Sequence, residues 1–97
     1  MLTLNDEQYE VAFGARRIML AEDAVGKSLI KVFDGVPTLS ELVTFLGYGL
    51  RRAGADAWLS PSQGRETALA LVDANGVKAC CEEVAEAINR DCGFFFR

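Results

Sequence analysis

Histidine is missing from this chain of 97 residues. That gap removes the side chain most often used near neutral pH as general base, proton shuttle or metal ligand. The three cysteines do not fill it. Cys80 and Cys81 are adjacent, Cys92 stands apart, and none has the C-x-x-C spacing of a zinc site. An odd count with two neighbours is also a poor basis for a structural disulfide. Reduced thiols packed as small apolar groups fit better, which is their usual state in a cytosol. A reactive thiolate wants a basic neighbour, whereas Glu82 and Glu83 follow Cys81 directly. No apolar run reaches the roughly eighteen residues of a membrane span, and no charged-then-apolar leader opens the chain, so neither membrane insertion nor secretion is expected. Internal repeats, low-complexity segments and disordered linkers are absent as well.

Positive charge is scarce. The formal net charge is −4, and the basic residues that do cluster, Arg16-Arg17 and Arg51-Arg52, form isolated pairs rather than a stripe. No nucleic-acid partner is therefore expected. The carboxylate pairs Glu22-Asp23 and Glu82-Glu83 are poor acid–base dyads, because neighbours on a helix point about 100° apart and serve solvent better than one cleft. Gly26-Lys27-Ser28 resembles the end of a phosphate-binding loop. That motif needs a glycine five residues before Gly26, where the chain has Ala21, and Glu22 and Asp23 would crowd a phosphate with negative charge. A helix end carrying a lysine accounts for the same residues. The chain reads as a non-enzyme with no catalytic residue, no metal and no cofactor.

What is present is apolar patterning. About half of the residues are hydrophobic (51%) and a quarter charged (25%), enough for one modest core and hence a single domain over residues 1–97. The first 13 residues allow two readings. Leu2 and Leu4, then Tyr9, Val11 and Phe13, alternate as a hairpin would, with residues 5–8 turning between them. Asn5 followed by Gln8 would instead cap a helix from Asp6. Alternation on both sides of the turn favours the hairpin.

Residues 14–33 form the segment around which the rest is organised. Ile18, Ala21, Val25, Leu29 and Val32 fall on one helical line, and Arg16, Asp23, Lys27 and Lys31 on the opposite one, with Leu20 and Ile30 as apolar exceptions there. Gly26 bends or ends this helix, and Ser28 caps a second piece. Residues 34–37 form a turn. Thr38 and Glu41 make a capping box for a helix over 38–53, with Leu39, Leu42, Val43, Leu46 and Leu50 in helical register. Phe45 and Tyr48 widen its apolar surface, so it should be covered on more than one side. Arg51 and Arg52 would close it against the macrodipole and Gly54 would stop it.

Ser60-Pro61-Ser62-Gln63 opens a helix over 61–74, with Ala68, Leu69 and Val72 as its buried side. A last helix over 77–92 buries Val77, Cys80, Cys81, Val84 and Ile88, and Lys78 can pair with Glu82 on its outer face. The expected fold is mainly α: four to five short helices in an orthogonal bundle with a short N-terminal β-hairpin.

The segment YEVAFGARRIMLAEDAVGKS (residues 9–28) resembles the small tail assembly chaperones of long-tailed bacteriophages and prophages. The shared features are a strand pair ending in Tyr-x-hydrophobic, a helix with an acidic residue four before a glycine (Glu22 and Gly26), and a Leu-rich helix with a small/basic end (residues 39–54). Two more helices follow, so the order of elements covers nearly the whole chain. The resemblance implies a non-enzymatic role in the host cytoplasm: binding the long helical tape measure protein, keeping it soluble and helping recruit tail-tube protein. It also implies that a longer, frameshifted form can exist, for which codons of Phe94, Phe95 and Phe96 would supply a slippery run.

Two surfaces could do such work. Leu46, Tyr48 and Leu50 are candidates for a partly exposed apolar strip. Phe94, Phe95 and Phe96 either fold back on the core, pack in a homo-oligomer, or form a partner surface beside that strip. The competing class is a small DNA-binding regulator or antitoxin-like adaptor, in which the connection 53–60 is a variant helix-turn-helix. Its recognition helix, residues 61–73, would carry Arg65 as its only basic residue.

Overall fold

The computed structural model describes residues 1–97. Its elements run β1 (Leu2–Leu4), β2 (Glu7–Val11), α1 (Ala15–Val25), α2 (Leu29–Phe33), α3 (Leu39–Gly49), β3 (Leu50–Arg52), α4 (Pro61–Asn75) and α5 (Val77–Asp91), followed by a 3-10 turn at Gly93–Phe95. The fold is mainly α with a short N-terminal hairpin, as expected. Asn5 and Asp6 both take positive φ, 50° and 67°, which makes the two-residue turn whose twist suits a hairpin. Leu2 then lies opposite Tyr9 and Leu4 opposite Glu7. Glu7 and Gln8, placed in the turn by the sequence, belong to β2.

The bend at Gly26 is present. Gly26 takes a left-handed φ of 80° and its N–H donates to the Glu22 carbonyl, closing α1. The Ser28 hydroxyl accepts from the Lys31 N–H and opens α2. Glu22 holds both sides of this hinge, because its carboxylate also accepts from the Leu29 N–H at 2.8 Å. It is therefore a structural cap and not a freely solvated acid. Ile18, Ala21, Leu29 and Val32 are buried, while the two exceptions, Leu20 and Ile30, stay exposed.

Helix α3 is the centre of the core. Its capping box is complete, with Thr38 accepting from the Glu41 N–H and Glu41 from the Thr38 N–H. Phe45 and Leu46 are fully buried, and α1, α4 and α5 all pack on this helix. The expected helix over 38–53 is corrected at its end. Helix α3 stops at Gly49, and residues 50–52 turn into β3, which adds to β2 with Val11 opposite Leu50 and Tyr9 opposite Arg52. The open side of β2 offers backbone partners that a continued helix would forgo: Ala12 N–H donates to Gly49 and Ala53 N–H to Gln8. Arg51 and Arg52 are thus sheet residues, not a helix-end charge pair, and Arg52 faces Glu7 at 3.7 Å.

On α4 the buried face is Gly64, Ala68, Leu71 and Val72. Leu69 is half exposed, which corrects its assignment to the core. It lies one step around the helix from Ala68, beyond the reach of α3. On α5, Cys80, Val84, Ala87 and Ile88 are buried, Cys81 is half-buried, and Val77 in the first turn is exposed. Lys78 and Glu82 form no ion pair. The chain contains no helix long and apolar enough to cross a membrane.

Candidate functional site

The predicted strip on α3 does not form. Leu46 and Leu50 are completely buried, Leu46 because α3 is wrapped on all sides and Leu50 because it has left the helix for β3. Tyr48 is half-buried, with the Arg17 guanidinium 5.5 Å above its ring. The C-terminal aromatics behave differently. Phe95 packs on the core, while Phe94 and Phe96 are 47% and 65% exposed. Only local bonds shape this turn, Phe95 N–H to Cys92 and Phe96 N–H to Gly93.

Phe95 and Phe96 form one wall of an apolar groove of about 400 Å³. Helix α2 forms the opposite wall. It is anchored by Leu29 and Val32, and Phe33 meets Phe45 edge-on at 5.4 Å, so Ile30 is left pointing outward, 64% exposed. Ala85 and Ile88 of α5 line the groove between these walls, the alanine leaving room where a larger side chain would fill it. Asp34 and Asn89 supply the polar lining. The sequence held two signs of this site, the aromatic run of Phe94, Phe95 and Phe96 and the apolar Ile30, an exception with Leu20 on a charged helical line. The approach of α2 to α5 across 55 residues of chain had no such sign.

A second cluster involves Trp58. Its indole N–H donates to the Ala12 carbonyl at 2.8 Å, and the guanidinium groups of Arg51 and Arg17 lie 4.0 and 5.0 Å from its ring. Arg17 also donates to the Tyr48 carbonyl at 2.8 Å. Burial, and secondarily the nearby Arg51, makes Arg17 a weaker base than an ordinary arginine. This stack ties the connector between β3 and α4 to α1. The whole link between α3 and α4 spans residues 50–60 and includes β3, so these helices are not joined by the three- or four-residue turn of a helix-turn-helix. Arg65 on α4 is engaged with the Thr44 hydroxyl at 3.3 Å.

Several other ionisable groups are committed to structure. Burial pushes the Cys80 thiol up to about 11 and raises Cys81 and Cys92 as well, so these thiols stay protonated at neutral pH. Lys27, the lysine of the Gly-Lys-Ser string, pairs with Glu41 at 3.0 Å. Asp91 is held below the usual carboxylate range by its bond from Arg90. No three histidine, cysteine or acidic residues are placed to hold a metal ion. Comparison of the chain with family models, curated proteins and solved structures gave no match.

Proposed function

We propose that this chain is a non-enzymatic assembly factor whose groove between α2, α5 and the C-terminal turn seats the apolar face of a partner helix. The observation that carries the reading is the pairing of Ile30 and Phe96, large side chains left mostly exposed beside an apolar cleft. Fully burying such side chains is worth roughly 1.5–3 kcal/mol each. A helix laid between them gains area on both sides at once, which is the helix-in-groove mode of recognition.

The resemblance of residues 9–28 to tail assembly chaperones gives this partner a biological form. On that reading the chain works in the cytoplasm of a bacterial host, binds the tape measure protein and brings tail-tube protein to it. The residues proposed for contact are Ile30, Phe33, Phe94, Phe95 and Phe96; Leu46 and Leu50 are inaccessible.

Co-expression with a tape measure protein of a long-tailed phage tests the proposal. Wild-type chain should keep that protein soluble and co-purify with it. The double variant Ile30→Glu/Phe96→Glu should lose both properties while keeping its helical circular dichroism. Undiminished capture by a folded double variant would rule the groove out.

A further inference from the structure

Among the residues lining the groove, Asp34 alone carries a charge. It stands at the C-terminal end of α2, where its carboxylate adds to the negative end of the helix. None of the four ion pairs involves Asp34. On the α5 side, Glu82 and Glu86 are exposed one helical turn before Ala85 and Asn89. Lys31, Arg90 and Arg97 are the cations next in the chain to the lining, but none is part of it, and Arg90 is bonded to Asp91. The whole molecule carries a net charge of −4, so a second copy would approach against like charge, whereas a basic partner would be drawn in.

We infer that the occupant of the groove is a cationic amphipathic helix, with an apolar stripe between Ile30 and Phe96 and a lysine or arginine meeting Asp34. The inference rests on the groove being the partner site and adds the chemistry of the partner.

Two fluorescein-labelled model peptides of about four helical turns, one of leucine and lysine and one of leucine and glutamate on the same apolar stripe, provide the test by anisotropy. The proteins compared are the full chain and its Ile30→Glu, Asp34→Lys and Glu66→Lys variants, each checked for fold by circular dichroism. Glu66 is exposed on α4 outside the groove, so its reversal changes net charge equally without touching the site. The lysine peptide should bind more tightly than the glutamate peptide, and Ile30→Glu should abolish its binding. Asp34→Lys should weaken it about fivefold more than Glu66→Lys does.

Equal weakening by the two reversals, with Ile30→Glu still abolishing binding, would overturn the Asp34 contact and leave the groove standing. Binding indifferent to Ile30→Glu would remove the groove itself. A wild-type dimer that Ile30→Glu converts to monomer would assign the groove to a second copy and overturn the cationic helix.

Discussion

Gly47 of α3 and Gly64 of α4 bring two helix backbones into direct contact. A Cβ built on Gly47 would stand 3.0 Å from the Gly64 carbonyl carbon and 3.1 Å from its oxygen, and a Cβ on Gly64 would run into the Gly47 carbonyl oxygen. Both neighbours are main chain, so neither can swing away. This close crossing packs α4 tightly against α3 within the single core.

Alanine at either glycine should therefore destabilise the fold even though alanine favours a helix by about 1 kcal/mol over glycine. Overpacking of about 1–3 kcal/mol acts against that gain, and Gly64→Ala should be the worse of the two. Gly93→Ala, where a Cβ meets nothing within 4 Å and φ is not positive, is the control and should be near neutral. Urea unfolding of the three variants measures the difference.

Glu22 gives a prediction about the hinge. Its carbonyl closes α1 and its carboxylate opens α2, so Glu22→Ala should remove a charge-assisted cap worth about 0.5–2 kcal/mol. Gly26→Ala should add left-handed backbone strain of about 1–2 kcal/mol. Because α2 is only five residues long and forms a wall of the groove, its amides should lose hydrogen-exchange protection before those of α3. Uniform loss of protection throughout the chain would contradict this order.

These residues also show what could be read in advance. Caps are local, so Thr38 with Glu41, Ser60 with Pro61, and Gly26 with Ser28 were all visible as short strings. The break at Gly49 was not. Leu50 keeps the helical spacing set by Leu39, Leu42, Val43 and Leu46, and a three-residue strand is too short to show alternation of its own. What decides its conformation is the open side of β2, forty residues earlier in the chain. The site divides the same way. Phe95 and Phe96 stood out as an aromatic run, whereas Ala85 and Phe33 acquire meaning only once α5 and α2 line one groove. Leu46 is buried rather than part of an exposed strip, because periodicity shows which side of a helix is apolar but not how many neighbours will cover it.

Asp91 makes stability depend on pH. β1 begins at Leu2, opposite Tyr9, so the Val11 carbonyl and Phe13 N–H on β2 and beyond lie outside its pairing. Arg90 donates to Val11 at 2.7 Å and Asp91 accepts from Phe13 at 3.1 Å. The bond from Arg90 is the largest reason the Asp91 carboxyl is depressed below its ordinary 3.8, and the Phe13 bond adds to it. The unfolded chain therefore binds this proton more readily than the folded one. The stabilisation is complete above the ordinary value and is lost as pH falls through the lower, folded one. Thermal unfolding followed from pH 6 to about pH 2 should show an acid decline that is shallower in Asp91→Asn, with the variant already less stable at pH 6. Parallel curves would mean that Asp91 contributes nothing to the acid limb.

Arg17 supports the last prediction, because a lysine there keeps the charge and loses the geometry. The guanidinium lies over Trp58 and Tyr48 while its Nε donates to the Tyr48 carbonyl. A lysine ammonium lacks the flat face needed to stack while donating in a fixed direction. Arg17→Lys should lose about 1–2 kcal/mol from the bond and stacking together. Because Trp58 is the only tryptophan, its fluorescence reports on this stack directly. The variant should shift native-state emission to the red and make it more accessible to acrylamide, while far-ultraviolet circular dichroism at low denaturant stays unchanged. If emission and quenching match the wild type, the connector is held by the Ala12 bond and Arg51 alone, and the role given to Arg17 fails.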